Sequence, residues 1–155
     1  MRCKFFRFRL TMAICVMVLT LFVQQFRVFI VSGDSMLPTL KTGQMLLASR
    51  LTGSITHGQI IFAKREINNK VHVVVKRVIG LEGDTIEIRC GTVFCNQKAV
   101  TENYVKRWYL TDDGYWVVPK NSYFVLGDNR DESLDSRDDS FGFVSQRDVL
   151  GVLLS

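Results

Sequence analysis

Histidine is scarce in this chain: only His57 and His72 occur, with no ligand-like spacing around either, so no metal site is expected and no cofactor is implied. His57 sits beside Gly58 in a turn and reads as a solvated side chain. Internal repeats and low-complexity linkers are absent, which excludes solenoids and flexibly tethered arrays, and 155 residues set a soft limit of one domain. Excess charge is almost confined to one end. Arg2, Lys4, Arg7 and Arg9 account for four of the five formal net positive charges, leaving a nearly neutral body that argues against a nucleic-acid-binding face. No long helical period follows residue 31.

What is present begins with an apolar run. Leu10 to Phe26 carries no charge, and Met12 to Val23 is strongly apolar. At about 1.5 Å per residue the uncharged run spans roughly 25 Å, slightly short of a ~30 Å hydrocarbon layer unless its flanks help. We read residues 1–9 as a basic cytoplasmic tail, 10–27 as a single transmembrane anchor and 28–155 as a β-rich domain. Positive charge before the run favours an inside amino terminus and an outside carboxy-terminal domain. A cleavable secretory signal is the main rival, but no Ala-x-Ala-like site follows Val23. A buried core helix is the other.

The body reads as many short strands. Met45–Ala48, Gln59–Phe62, Val71–Val78, Thr85–Arg89, Thr92–Phe94, Trp116–Val118 and Tyr123–Leu126 are apolar or alternating runs, punctuated by glycine and asparagine. They predict a mostly β, compact, barrel-like domain. The four cysteines divide by compartment. Cys3 in the tail and Cys15 in the apolar run are poor disulfide partners, whereas Cys90 and Cys95 flank a short hairpin segment where a disulfide or two free thiols both fit. A bridge closing so short a loop would contribute about 2 kcal/mol at most.

Two side chains carry candidate chemistry. Ser35 lies between Gly33, which takes positive φ at little cost, and Pro38, which fixes its own φ, so the loop presents Ser35 rather than burying it in a ladder. Lys76 lies in the β-branched run Val71–Ile79. Desolvation there would lower its pKa from about 10.4, as a general base near neutrality requires. The bland alternatives are a solvated turn serine and a strand-end lysine whose ammonium snorkels outward beside a solvated Arg77. His72 shares the Lys76 face by period-two geometry and is assigned no catalytic part.

Gly33-Asp34-Ser35-Met36-Leu37-Pro38-Thr39-Leu40, Lys76-Arg77-Val78-Ile79-Gly80-Leu81-Glu82-Gly83-Asp84 and Gly127-Asp128-Asn129-Arg130-Asp131-Glu132-Ser133-Leu134-Asp135-Ser136-Arg137 resemble, in this order, the three main boxes of bacterial type I signal peptidases. His57 to Phe62 resembles a fourth strand of that family, with Gln59 where aspartate is common. The resemblance implies a mostly β catalytic core and a membrane-anchored serine endopeptidase. In it Ser35 would be the nucleophile and Lys76 its base, with Gly33 and Ser133 supporting the oxyanion and the dyad. It also implies that Asp128, Arg130, Asp135 and Arg137 cross-pair near the dyad. Val31, Met36, Leu40 and Val75 would line substrate pockets accepting small residues one and three places before the cut.

Some relatives have a serine hydroxyl where this chain has Gly33, which leaves the second oxyanion donor open. Partners implied are the signal peptides of preproteins, membrane lipid and proximity to the secretion translocon. The implied location is the cytoplasmic membrane, crossed once, with catalysis on the periplasmic or extracellular side. Other readings are a processing peptidase dedicated to a conjugation or pilin-type substrate, a self-cleaving repressor-type domain, and a non-catalytic anchored binding module. A repressor should carry a helix-turn-helix where this chain has an apolar run, and a binding module would be expected to have lost Ser35 or Lys76.

Overall fold

Short β-branched and aromatic runs bounded by turn residues pair into sheets because only pairing satisfies their backbone groups once the side chains are buried. The computed structural model describes residues 2–50, 53–67, 69–105 and 113–154, leaving aside the side chains of 2–8, 10, 21 and 22. One helix, α1 (Arg2–Gln24), precedes eleven strands: β1 (Phe26–Ile30), β2 (Met45–Ser49), β3 (Ile60–Ile67), β4 (Lys70–Gly80), β5 (Thr85–Arg89), β6 (Thr92–Cys95), β7 (Lys98–Ala99), β8 (Gly114–Val117), β9 (Ser122–Leu126), β10 (Val144–Ser145) and β11 (Val149–Leu153). The mostly β expectation holds. The strands form two sheets, one in the order β1-β2-β11-β3-β4-β9-β10 and one in the order β7-β6-β5-β8.

Several boundaries differ from the sequence reading. β3, read as ending at Phe62, runs on to Ile67, and β4 gains Lys70, Ile79 and Gly80, because pairing from Ile60↔Arg77 out to Ile67↔Lys70 lets polar residues such as Lys64 and Arg65 join the hairpin. Phe26 and Arg27, read as the end of the anchor, belong to β1, whose Phe26↔Ser49 to Ile30↔Met45 register gives their backbone a partner in β2. The helix also starts at Arg2, within the segment read as a tail; lysine and arginine are good helix formers.

The described apolar side chains of α1, including Met12, Ile14, Val16, Leu19 and Val23, are all exposed, so α1 is not a core helix. Among the described residues no helix is long and apolar enough to cross a membrane. Three clusters make the core. Ile61, Val78, Val125 and Phe141 centre the first, and Val31, Met36, Leu40 and Phe62 lie in the second beneath the serine loop. In the third, Ile79 and Leu126 of the larger sheet meet Ile86 and Ile88 of the smaller one.

Candidate active site

The loop after β1 is closed at its base, where Val31 N–H donates to Gln44 O (3.0 Å) and Gly43 N–H to Val31 O (2.9 Å). Gly33 has φ of +87°, where a glycine is favoured, and Thr42 Oγ1 donates to its carbonyl at 2.9 Å. The loop then turns through Leu37 N–H to Asp34 O (3.1 Å) and a cis Leu37–Pro38 bond. Residues from the far end of the chain hold this turn: Asn129 N–H donates to Ser35 O (3.0 Å) and Asn129 Nδ2 to Asp34 O (3.1 Å).

Lys76 sits within β4, which is flanked by β3 and β9, and is only 5% exposed. It does not snorkel. Burial pushes its pKa down from 10.5 to about 8; the carboxylates of Asp135 and Asp128 oppose that shift, and Arg137 reinforces it. Lys76 Nζ donates to Ser133 Oγ at 3.0 Å. Ser35 and Lys76, forty-one positions apart in sequence, line one cavity of about 200 Å³. Ser35 Oγ makes no hydrogen bond to Lys76 among the described residues, and such contacts commonly tighten only when substrate is bound. A neutral amine anchored through one N–H to Ser133 keeps its lone pair free for a second hydroxyl, which is the geometry a serine base needs.

Similar sequences and a similar fold occur among known proteins. A family model described as signal peptidase, peptidase S26, matches residues 4–154. The chain belongs to the type I signal peptidase family. It is 40% identical over 140 residues to signal peptidase I P of Bacillus subtilis subsp. natto, covering 82% of this chain and 74% of that protein. To signal peptidase I U of Bacillus subtilis strain 168 it is 35% identical over 150 residues, 89% of this chain and 79% of the other. The crystal structure of a signal peptidase I from Enterococcus faecalis V583 superposes with a TM-score of 0.56 at 35% identity, over 66% of this chain and 98% of that one. The chain is therefore a serine endopeptidase of this family, a hydrolase.

The structure sorts the remaining site residues. Of the four apolar positions that the signal peptidase resemblance assigns to substrate, Val31 and Val75 line the cavity. Met36 and Leu40 are buried in the same cluster as Val31 and Phe62 but are not themselves among the residues lining this cavity. Phe29, Ile30, Ser32 and Phe62 line the cavity although the sequence reading passed over them, and Phe29 stacks on Phe62 at 4.1 Å between ring centroids. Only pairing of β1 beside β2, and β2 toward β3 through β11, brings these two rings together. His72 is exposed and stands off the cavity.

The charged block does not pair wholly within itself, which corrects the cross-pairing picture. Asp135 and Arg137 do pair, at 2.8 Å. Asp128, however, takes Arg77 in a two-pronged bond, Nε to Oδ1 at 2.8 Å and Nη2 to Oδ2 at 2.6 Å, and Arg130 pairs with Glu102. Arg77 is thus not solvated. Its guanidinium also lies 3.8 Å from the centroid of the Tyr104 ring, and Tyr104 donates to Glu102. Glu102 and Tyr104 gave no sequence signal, since a lone Glu-x-Tyr in a loop acquires meaning only when Arg77 and Arg130 face it.

Arg77→Met should lower stability by about 3 kcal/mol, read as a lower urea midpoint, because it leaves the buried carboxylate of Asp128, 2% exposed, without its main partner. Arg77→Lys should recover only part of that.

Cys90 and Cys95 are free thiols, not a disulfide. The β5–β6 register explains it: Cys95 faces Ile86 while Cys90 occupies the hairpin tip at φ of +47°. The Cys3 side chain, read as an unpaired tail thiol, lies outside the described ones.

Proposed function

We propose that this protein removes amino-terminal signal peptides from exported preproteins, with Ser35 Oγ as nucleophile and neutral Lys76 as its base. The observation that carries the reading is a buried lysine, pinned by Ser133, on the same small cavity as a loop serine. Ser35 attacks the scissile carbonyl, Lys76 takes the hydroxyl proton and passes it to the leaving amine, and water then resolves the acyl-enzyme. The Ser35 N–H is the first oxyanion donor of this reading. Gly33 presents no side chain to help it, and a Cβ there would meet nothing within 4 Å.

An extended substrate laid along Ile30–Ser32 and Val73–Val75 would satisfy its backbone as an added strand and point alternate residues inward. A cavity of about 200 Å³ with walls of valine and phenylalanine suits small apolar side chains one and three places before the cut. Membrane attachment through α1 is the finer part of the proposal, with the amino terminus on the cytoplasmic side and the β domain on the outer side. It is supported by the exposed apolar residues of α1 and by an exposed apolar face on the adjoining hairpin, where Val28 pairs with Leu47 and Ile30 with Met45.

Incubating the detergent-solubilised protein with a preprotein bearing Ala-x-Ala should release the mature chain, and Ser35→Ala should not. Cleavage by both would remove Ser35 from its role. Because the unprotonated amine is the active form, kcat/KM in the same assay should rise about tenfold per pH unit below about 8 and level off above it. A flat profile through the neutral range would count against Lys76 as the base.

A further inference from the structure

Three side chains outside the cavity converge although 27 positions separate His57 from Asp84 and 38 separate it from Cys95. That separation is why the sequence predicted no metal site. His57 lies in the turn before β3, Asp84 in the turn before β5, and Cys95 ends β6. One donor atom from each lies within 4.8 Å of the other two. His57 Nε2 is 2.7 Å from Asp84 Oδ2 and 3.9 Å from Cys95 Sγ.

The donors are held from behind. Leu81 N–H donates to Asp84 Oδ2 and Asn96 Nδ2 to Asp84 Oδ1, each at 2.7 Å. The Asn96 backbone N–H donates to Thr85 O at 2.8 Å, which ties the end of β6 to the start of β5. Gly58, next to His57, donates to Val78 O and accepts from Arg77 Nη1, both at 2.8 Å.

A Cys–His–Asp nucleophilic relay does not fit, because a relay places the thiol and the carboxylate on opposite ring nitrogens, whereas both face Nε2 here. The thiol is also the wrong kind: burial, then the charge of Asp84, push its pKa up to about 11. An imidazole nitrogen, a carboxylate oxygen and a sulfur lie close enough together to share one cation.

We propose that His57, Asp84 and Cys95 form a binding site for a zinc-class divalent cation, with one nitrogen, one oxygen and one sulfur ligand and a fourth position open to water. Bonds of about 2.0–2.3 Å in a tetrahedron put ligand atoms about 3.3–3.7 Å apart. His57 must therefore draw back slightly from Asp84 and approach Cys95, which a half-exposed ring can do. Leu81 and Asn96 become the outer partners that orient the carboxylate. Imidazole and thiolate select zinc-like ions over magnesium or calcium. On binding, the Cys95 S–H bond breaks, a metal–sulfur bond forms and the proton leaves to solvent. The ion would join a turn of the larger sheet to β6 of the smaller one.

The test uses the full chain in detergent, stripped of metal with a chelator and titrated with Zn²⁺ by calorimetry and with Co²⁺ by absorption. One equivalent of Zn²⁺ should bind and raise Tm, and Co²⁺ should give a thiolate-to-metal charge-transfer band. Cys95→Ser should abolish that band, and Cys95→Ser and His57→Asn should each weaken Zn²⁺ binding at least about tenfold, while Cys90→Ser behaves as the parent. Asp84 is left intact because it also holds the Leu81 and Asn96 contacts. Failure of the parent to take up an equivalent of Zn²⁺, or unchanged binding in Cys95→Ser or His57→Asn, would overturn the site.

Discussion

Lys76→Met is expected to abolish cleavage, by at least about a thousandfold, and at the same time to make the protein more stable at neutral pH. The lysine is 5% exposed and its pKa falls from 10.5 to about 8, a difference worth about 3 kcal/mol against folding. The folded protein binds this proton less tightly than the unfolded chain does. The cost is therefore complete below about pH 8 and fades as the pH rises toward 10.5.

Methionine matches the chain length without the charge, and the Ser133 hydroxyl then loses a hydrogen bond worth about 1 kcal/mol, a smaller effect of opposite sign. Urea denaturation near neutral pH should show a higher midpoint for the variant, with the gap between variant and parent narrowing in alkaline buffer. A variant that is strongly destabilised yet still active would defeat both halves of the argument.

Gly127→Ala should damage both the fold and the site. An added methyl would lie 2.2 Å from Ser133 Oγ, 2.5 Å from Ser133 Cβ and 2.5 Å from Ser35 O. None of these is the free end of a flexible chain. Gly127 itself is tied down, its N–H donating to Asp135 Oδ2 at 2.9 Å and its carbonyl accepting from Arg130 Nε at 3.1 Å. Either the serine loop or the Ser133 segment has to move. We expect a stability loss of about 2–3 kcal/mol and, since a displacement near 1 Å misaligns nucleophile and base, at least about a hundredfold loss in kcat. Thermal melts and single-turnover cleavage would read the two separately. Parental values in both would mean that this close approach does not matter.

Ser35 and Lys76 stand out in the sequence as candidates because a loop serine between Gly33 and Pro38, and a lysine inside a β-branched run, are locally odd, and the boxes around them carry a family pattern. Asp128, Arg130, Asp135 and Arg137 were legible as a cluster but not in their pairing. Two of the four reach to Arg77 and Glu102, because loops far apart in the chain close over the same end of the larger sheet. For Met36 and Leu40 the sequence leaves open whether an apolar residue beside Ser35 faces a cavity or the core, and both are buried in the cluster that also holds Val31 and Phe62.

The chain's local chemistry was enough to point to a mostly β body behind one apolar helix and to single out a loop serine and a strand lysine as candidates, since each follows from propensity or turn geometry within a few residues; whether that lysine is buried or snorkels outward was left to the fold. Which strands are neighbours was decided only in three dimensions. β11, from the end of the chain, pairs with both β2 and β3, and β4 is enclosed by β3 and β9. Those non-local pairings alone put Ser35, Lys76 and Ser133 around one spot, and set a histidine, an aspartate and a cysteine from three separate turns and strands within reach of a single ion.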